Sequence, residues 1–196
     1  MKNRRVVFLD RDGVINENRD EYVLDVSEFE FLPNAIEALR LLKVNGYDIH
    51  VISNQSCVAR GLLSMEKLDE ITQHMLNEIR NRRADIDSVN YCPHHPDEKC
   101  RCRKPNAGML EDIAKKNGYS FENIWFIGDR STDMQAANRV GCRTILINDE
   151  DYTKTLRPEN DEVPDHTAKN LYGAVVRIVL TNGKEGSEEC HSQAST

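Results

Sequence analysis

No apolar run in this chain approaches the ~18 residues that would suggest a membrane span. The apolar run before Asp10 is only four residues long, Val6 to Leu9, too short for the apolar core of a signal peptide. Positive charge is in deficit: 26 Lys+Arg against 33 Asp+Glu leave a net charge of −7. That argues against a nucleic-acid backbone as the main partner, because neutralising phosphates takes a basic face. A disulfide framework is lacking as well. Of six cysteines, Cys57, Cys142 and Cys190 are scattered, whereas Cys92, Cys100 and Cys102 fall within eleven residues beside His94. In a reducing compartment that clustering favours a metal over bridges. What is left is a cytoplasmic chain of 196 residues, 39% hydrophobic and 30% charged, expected to be a monomer.

Short apolar runs alternate with stretches of helical period. Strands are predicted at Val6–Leu9, Ile49–Ser53, Val89–Tyr91, Ile124–Ile127 and Thr144–Ile147. Helices are predicted over 34–45 with Asn34 as cap, from Ser64 with Leu68, Ile71, Met75 and Ile79 inward, and from Asn106 to Gly118. A short helix around Met134–Val140 and a last one over 168–180 complete a single domain, 1–180, followed by a polar tail over 181–196 expected to be disordered. The alternation predicts an α/β fold: a parallel sheet, helices on both faces, and chemistry beyond the carboxyl ends of the strands. Three strands run into polar residues suited to such work: Asp10 and Asp12, Ser53 and Asn54, and Asp129.

Two carboxylates at i and i+2 after a strand are compatible with a mere polar turn or a helix cap. They also suit a nucleophile, Asp10, with Asp12 on the same side of the turn to move a proton, and Gly13 letting the backbone approach a ligand. Asp10-Arg11-Asp12-Gly13-Val14 resembles motif I of the haloacid dehalogenase (HAD) superfamily of aspartate-nucleophile phosphatases. Ser53 corresponds to motif II, Lys104 to motif III and Gly128-Asp129-Arg130-Ser131-Thr132-Asp133 to motif IV; Val14 stands where the usual pattern has Thr. The resemblance implies a Rossmann-like HAD fold in which Asp10 attacks phosphorus and Asp12 is the acid/base. It implies Mg²⁺ on the Asp10 carboxylate, the Asp12 backbone carbonyl and Asp129, with Ser53 and Lys104 stabilising the phosphoryl group. Asp133 suits either support of that site or simple charge stabilisation of a helix N-terminus.

Cys92-Pro93-His94, followed by Cys100-Arg101-Cys102, supplies four ligands suited to tetrahedral Zn²⁺. Surrounding prolines and charges speak against buried free cysteines, and a closed four-ligand set implies a structural metal; on spacing alone His95 can replace His94. The loop leads directly into Arg103 and Lys104 and would pin them beside the active centre.

A small zinc-binding loop with no large cap domain resembles a HAD subgroup containing heptose-bisphosphate and histidinol-phosphate phosphatases. Ser53-Asn54-Gln55-Ser56-Cys57-Val58-Ala59-Arg60-Gly61 is similar to the heptose enzymes, with Cys57 in place of a glycine. His94-His95-Pro96, Tyr22-Val23 and Phe29-Glu30-Phe31 lean the same way. The short His94–Cys100 spacing and Arg130, where a lysine is usual, lean toward the histidinol enzymes. The segment Asn18–Glu21 lacks the glycine expected before Tyr22. The resemblance implies a small phosphorylated metabolite as partner, first a heptose 1,7-bisphosphate losing its 7-phosphate, second histidinol phosphate. A zinc-stabilised binding domain without catalysis is the third reading. Expected substrate contacts are Arg11, Asn54, Gln55, Ser56, Arg103 and Arg130.

Overall fold

The computed structural model describes residues 4–147 and 163–180, so the expected tail over 181–196 lies outside the described residues. Among the described residues six parallel strands form one sheet: β1 (Arg5–Leu9), β2 (Tyr47–Asn54), β3 (Ser88–Cys92), β4 (Ile124–Gly128), β5 (Arg143–Ile147) and β6 (His166–Ala168). Their order is β3-β2-β1-β4-β5-β6, the Rossmann-like arrangement expected. The chain first winds outward from β1 to β3, then returns to the far side of β1 and winds the other way. The reversal opens a crevice beyond the carboxyl ends of β1 and β4.

Side chains alternate across a strand, so each apolar run is shared between two cores. Val7, Leu9, Ile49, Val51, Trp125 and Ile127 face one side, where α1 (Ala35–Val44), α2 (Met65–Asn81) and α5 (Leu171–Ala174, continuing as a π-helix over Val175–Val179) pack. Val6, Phe8, Ile52, Ile124, Phe126 and Leu146 face the other, under α3 (Gly108–Asn117) and α4 (Ser131–Asn138). Both faces are covered, which is why the central strands read as continuous apolar runs.

Several boundaries differ from expectation for local reasons. Asn34 takes the left-handed conformation, φ 61°, and makes no side-chain cap to α1. Asn106 precedes α3 and instead donates to the Cys100 carbonyl at 2.8 Å, bracing the cysteine loop. Ser64 does cap α2, accepting from the Lys67 amide. Strand β6 carries no apolar run; Asp165 holds it beside β5 by accepting from the Thr144 amide at 2.6 Å. Among the described residues no helix is long and apolar enough to cross a membrane.

Candidate active site

Beyond the strand ends lies a cavity of about 650 Å³. Asp10 follows β1, Ser53 and Asn54 end β2, Asp129 and Arg130 follow β4, and Arg103 and Lys104 arrive from the loop after β3; all of them line it, as do Asp12 and Ser56.

At its floor the Lys104 ammonium is 3.0 Å from Asp10 Oδ1 and 2.6 Å from Asp133 Oδ1, and it donates to the Ile52 carbonyl at 2.8 Å. Burial works against the charge on this lysine, but Asp10 and Asp133 outweigh it and hold the ammonium protonated. One cation does not balance the group. Burial, opposed by Lys104 but reinforced by Asp133 and Asp12, pushes the Asp10 carboxyl up to about 6. Burial with Asp10 and Asp133 close by pushes Asp129 up to about 8. Oxygens of Asp10, Asp129 and Asp133 lie within 4.8 Å of one another, and Asp129 Oδ1 is buried with no hydrogen-bond partner among the described residues. A divalent cation fits that excess of negative charge and that orphaned oxygen. Lys104 and the Arg130 amide engage both oxygens of Asp133, whereas Lys104 and the Arg11 amide both meet Oδ1 of Asp10, so Asp10 and Asp129 are the carboxylates with an oxygen left for it.

Two glycines permit this crowding. A Cβ on Gly13, whose φ of +79° already disfavours any side chain, would collide with the Asp129 carboxylate. A Cβ on Gly128 would collide with Asp133.

Asp12 is engaged differently. Its carboxylate accepts from Arg11 Nε (3.1 Å) and Nη2 (2.9 Å), Asn16 Nδ2 (2.8 Å) and Gln55 Nε2 (2.7 Å). Burial would raise its pKa, but the Arg11 guanidinium and these donors outweigh it and hold the carboxyl below its ordinary value. The Asp12 side chain is not among the grouped metal-ligand oxygens, leaving the backbone carbonyl for a metal role.

Two side chains expected to contact substrate lie elsewhere. Arg11 is 1% exposed, lies over the Tyr91 ring and grips Asp12; it does not line the cavity. Gln55 is fully buried, bonded to Asp12 and to Ser53 Oγ, and does not line it either. Neither side chain is placed to touch a substrate.

Asp133, for which a helix-terminus role stood open, is fully buried; besides pairing with Lys104 it accepts from the Arg130 amide at 3.1 Å at the start of α4. The segment before Tyr22 also belongs to the site, since Asn18, Arg19, Asp20 and Tyr22 line the cavity. Tyr22 takes φ 67° where a glycine was expected nearby, and its hydroxyl meets Ser56 Oγ at 3.1 Å. Arg130 Nη2 donates to Asn18 Oδ1 at 3.3 Å.

Beside the cavity, Cys92, His94, Cys100 and Cys102 turn their ligand atoms together. The three sulfurs are 3.3–3.5 Å apart, and His94 Nδ1 is 3.2 Å and 3.6 Å from Cys102 and Cys92. These separations far exceed a disulfide and approach the ~3.8 Å edge of a tetrahedron with Zn–S near 2.3 Å. Burial, with Cys102 and Cys100 close by, pushes the Cys92 thiol up to about 12, and a bound cation would favour its thiolate. His95 turns away to accept from the Asp97 amide.

Comparison with known proteins agrees with this geometry. The HAD-hydrolase-like family profile matches residues 101–174. The D-glycero-beta-D-manno-heptose-1,7-bisphosphate 7-phosphatase of Pseudomonas aeruginosa is 36% identical over 154 residues, 79% of this chain and 86% of that protein. The D-glycero-alpha-D-manno-heptose-1,7-bisphosphate 7-phosphatase of Photorhabdus laumondii is 35% identical, over 89% of this chain and 96% of its own. The crystal structure of D,D-heptose 1,7-bisphosphate phosphatase from B. bronchiseptica, complexed with magnesium and phosphate, superposes with a TM-score of 0.84 at 30% identity, covering 90% of this chain and 99% of that one.

Proposed function

The chain belongs to the HAD-superfamily phosphatases, in the family of the heptose-1,7-bisphosphate 7-phosphatases, and from that premise we propose that it removes the 7-phosphate of a heptose 1,7-bisphosphate through Asp10. The observation that carries the proposal is the buried cluster of Asp10, Asp129, Asp133 and Lys104 at the floor of the cavity. Arg19, Arg103 and Arg130 also line that cavity, which suits a ligand with a second phosphate. Histidinol phosphate brings only one phosphate, together with an amine.

An Asp10 oxygen attacks phosphorus, and the sugar oxygen leaves with a proton from Asp12. Asp12 then takes a proton from water, whose oxygen attacks the same phosphorus. The aspartyl–phosphate bond breaks, releasing inorganic phosphate and restoring Asp10. Magnesium, which Asp10, Asp129 and the Asp12 carbonyl would hold, supplies positive charge that screens the nucleophile from an anionic substrate. Lys104 offsets charge on the phosphoryl oxygens and Ser53 donates a hydrogen bond to them. Arg11, Asn16 and Gln55 favour the ionised form of Asp12, which suits the second half-reaction, where it accepts a proton from water, and opposes the first, where it has to carry one; the negative charge of the incoming phosphate pushes the other way and favours the protonated acid. Zinc on Cys92, His94, Cys100 and Cys102 is structural, since four protein ligands leave no open position.

The test is a kcat/KM comparison, with Mg²⁺ and without, among both anomers of the heptose 1,7-bisphosphate and histidinol phosphate. We expect Mg²⁺-dependent release and a preference for the bisphosphate. A preference for histidinol phosphate overturns the substrate. Absence of turnover on all of these, and on a generic aryl phosphate, overturns the catalytic reading.

A further inference from the structure

Asn54, expected from the sequence to touch substrate, uses its amide on the protein instead. Its Nδ2 donates to the Lys104 carbonyl at 3.0 Å, and its Oδ1 accepts from the Lys104 backbone amide at 3.1 Å. One side chain thereby serves both main-chain groups of one residue, as a neighbouring strand would. We propose that Asn54 is a positioning residue for Lys104, coupling the end of β2 to the end of the cysteine loop; this rests on the phosphatase reading given above.

Lys104 needs such a fixture. It sits two residues beyond Cys102 in a loop outside the strands, yet its side chain is 1% exposed and its ammonium has to meet Asp10, Asp133 and the Ile52 carbonyl at 2.6–3.0 Å. It also lies 5.5 Å from the centre of the Phe126 ring. A backbone shift near 1 Å breaks several of these contacts together. The start of the loop is tied to the same segment, for the Gln55 amide donates to the Cys92 carbonyl at 2.8 Å and the Ala59 amide to Pro93 at 3.2 Å. These bonds anchor the entrance of the loop; the Asn54 amide anchors its exit. Asn54 also follows Ser53 directly, so the two residues proposed to handle the phosphoryl oxygens are held in one hydrogen-bonded unit.

A substrate contact and a positioning role separate in steady-state kinetics. In Asn54→Ala, kcat on the heptose 1,7-bisphosphate should fall about 10- to 100-fold, the scale of an ångström misplacement, with KM within about twofold. The inhibition constant of orthovanadate, which mimics the pentacoordinate phosphoryl group, should rise by the same factor as kcat falls. Asn54→Asp keeps the size and the acceptor for the Lys104 amide but sets an anion against the Lys104 carbonyl. It should show the same split, and it supplies the measurement if Asn54→Ala does not fold. A KM raised tenfold or more with kcat retained makes Asn54 a substrate contact and overturns the inference, as does an unchanged kcat in both variants. Wild-type turnover of an aryl phosphate is measured alongside. An inactive wild type overturns the phosphatase reading and this one with it, whereas an active wild type with indifferent variants overturns this one alone.

Discussion

Replacing Asp129 by asparagine should make the magnesium-free protein more stable while abolishing turnover. The burial of Asp129 beside Asp10 and Asp133 pushes its carboxyl up to about 8, against 3.8 in an unconstrained chain. Below pH 4 both folded and unfolded states hold the proton. Between about pH 4 and 8 the folded state retains a proton that the unfolded state has released, so folding stability falls as pH rises, by ~1.4 kcal/mol per pH unit. At pH 7 the accumulated penalty is on the order of 4 kcal/mol, an upper bound because the acids relax around one another. An amide in the same place carries none of it. We expect Asp129→Asn to gain about 2–4 kcal/mol at pH 7, roughly 5–15 °C in melting temperature for a domain of this size. The measurement is thermal or denaturant unfolding in magnesium-depleted buffer without a chelator that would strip the cysteine site, at pH 7 and again at pH 4. The gain should vanish at pH 4. Saturating Mg²⁺ should stabilise the wild type and leave the variant unmoved. A variant less stable than wild type at pH 7, or equally displaced at both pH values, refutes the electrostatic account.

Asp10→Asn should abolish phosphate release while leaving the circular dichroism spectrum and cooperative unfolding intact, since Lys104 keeps Asp133 and the Ile52 carbonyl. Cys92→Ser should lower melting temperature and activity together, because the loop that delivers Lys104 loses a ligand; unchanged melting excludes a structural metal there. Gly13→Ala should cost at least about 1 kcal/mol in denaturant unfolding from its φ of +79° alone, and should also weaken Mg²⁺ binding in calorimetry by displacing Asp129.

The strands and the acids that follow them were legible because burial on both faces leaves an uninterrupted apolar run, and such a run ends where polar chemistry starts. Asp10, Asp12, Ser53 and Asp129 could therefore be placed at one rim of the sheet before any coordinates. The cysteine spacing was equally plain, since local ligands need no long-range fold to meet. What stayed hidden depends on side-chain direction or on partners far along the chain. Arg11 and Gln55 lie inside motifs whose neighbours do face the cavity, yet both turn inward onto Asp12. The Asn54 amide finds Lys104, fifty residues away. For Asp133 the sequence left two roles open, support of the site or a helix terminus, and the Lys104 ammonium beside it, with the Arg130 amide, shows that it serves both. Strand β6 has no apolar signature because two of its three residues are exposed and Asp165 rather than burial seats it.

Strand β1 is first in the chain and central in the sheet, and that has a bearing on synthesis. Its pairing with β2 needs only the next few dozen residues, but its other flank stays open until β4, beyond residues 10–123, has been made. A nascent chain thus exposes an apolar, unpaired strand margin from the synthesis of β1 until that of β4, a state prone to association with other chains. No fragment ending before β4 holds both Asp10 and Asp129, so such products carry the nucleophile without its metal partner, and competence arrives only once the later segment docks onto β1.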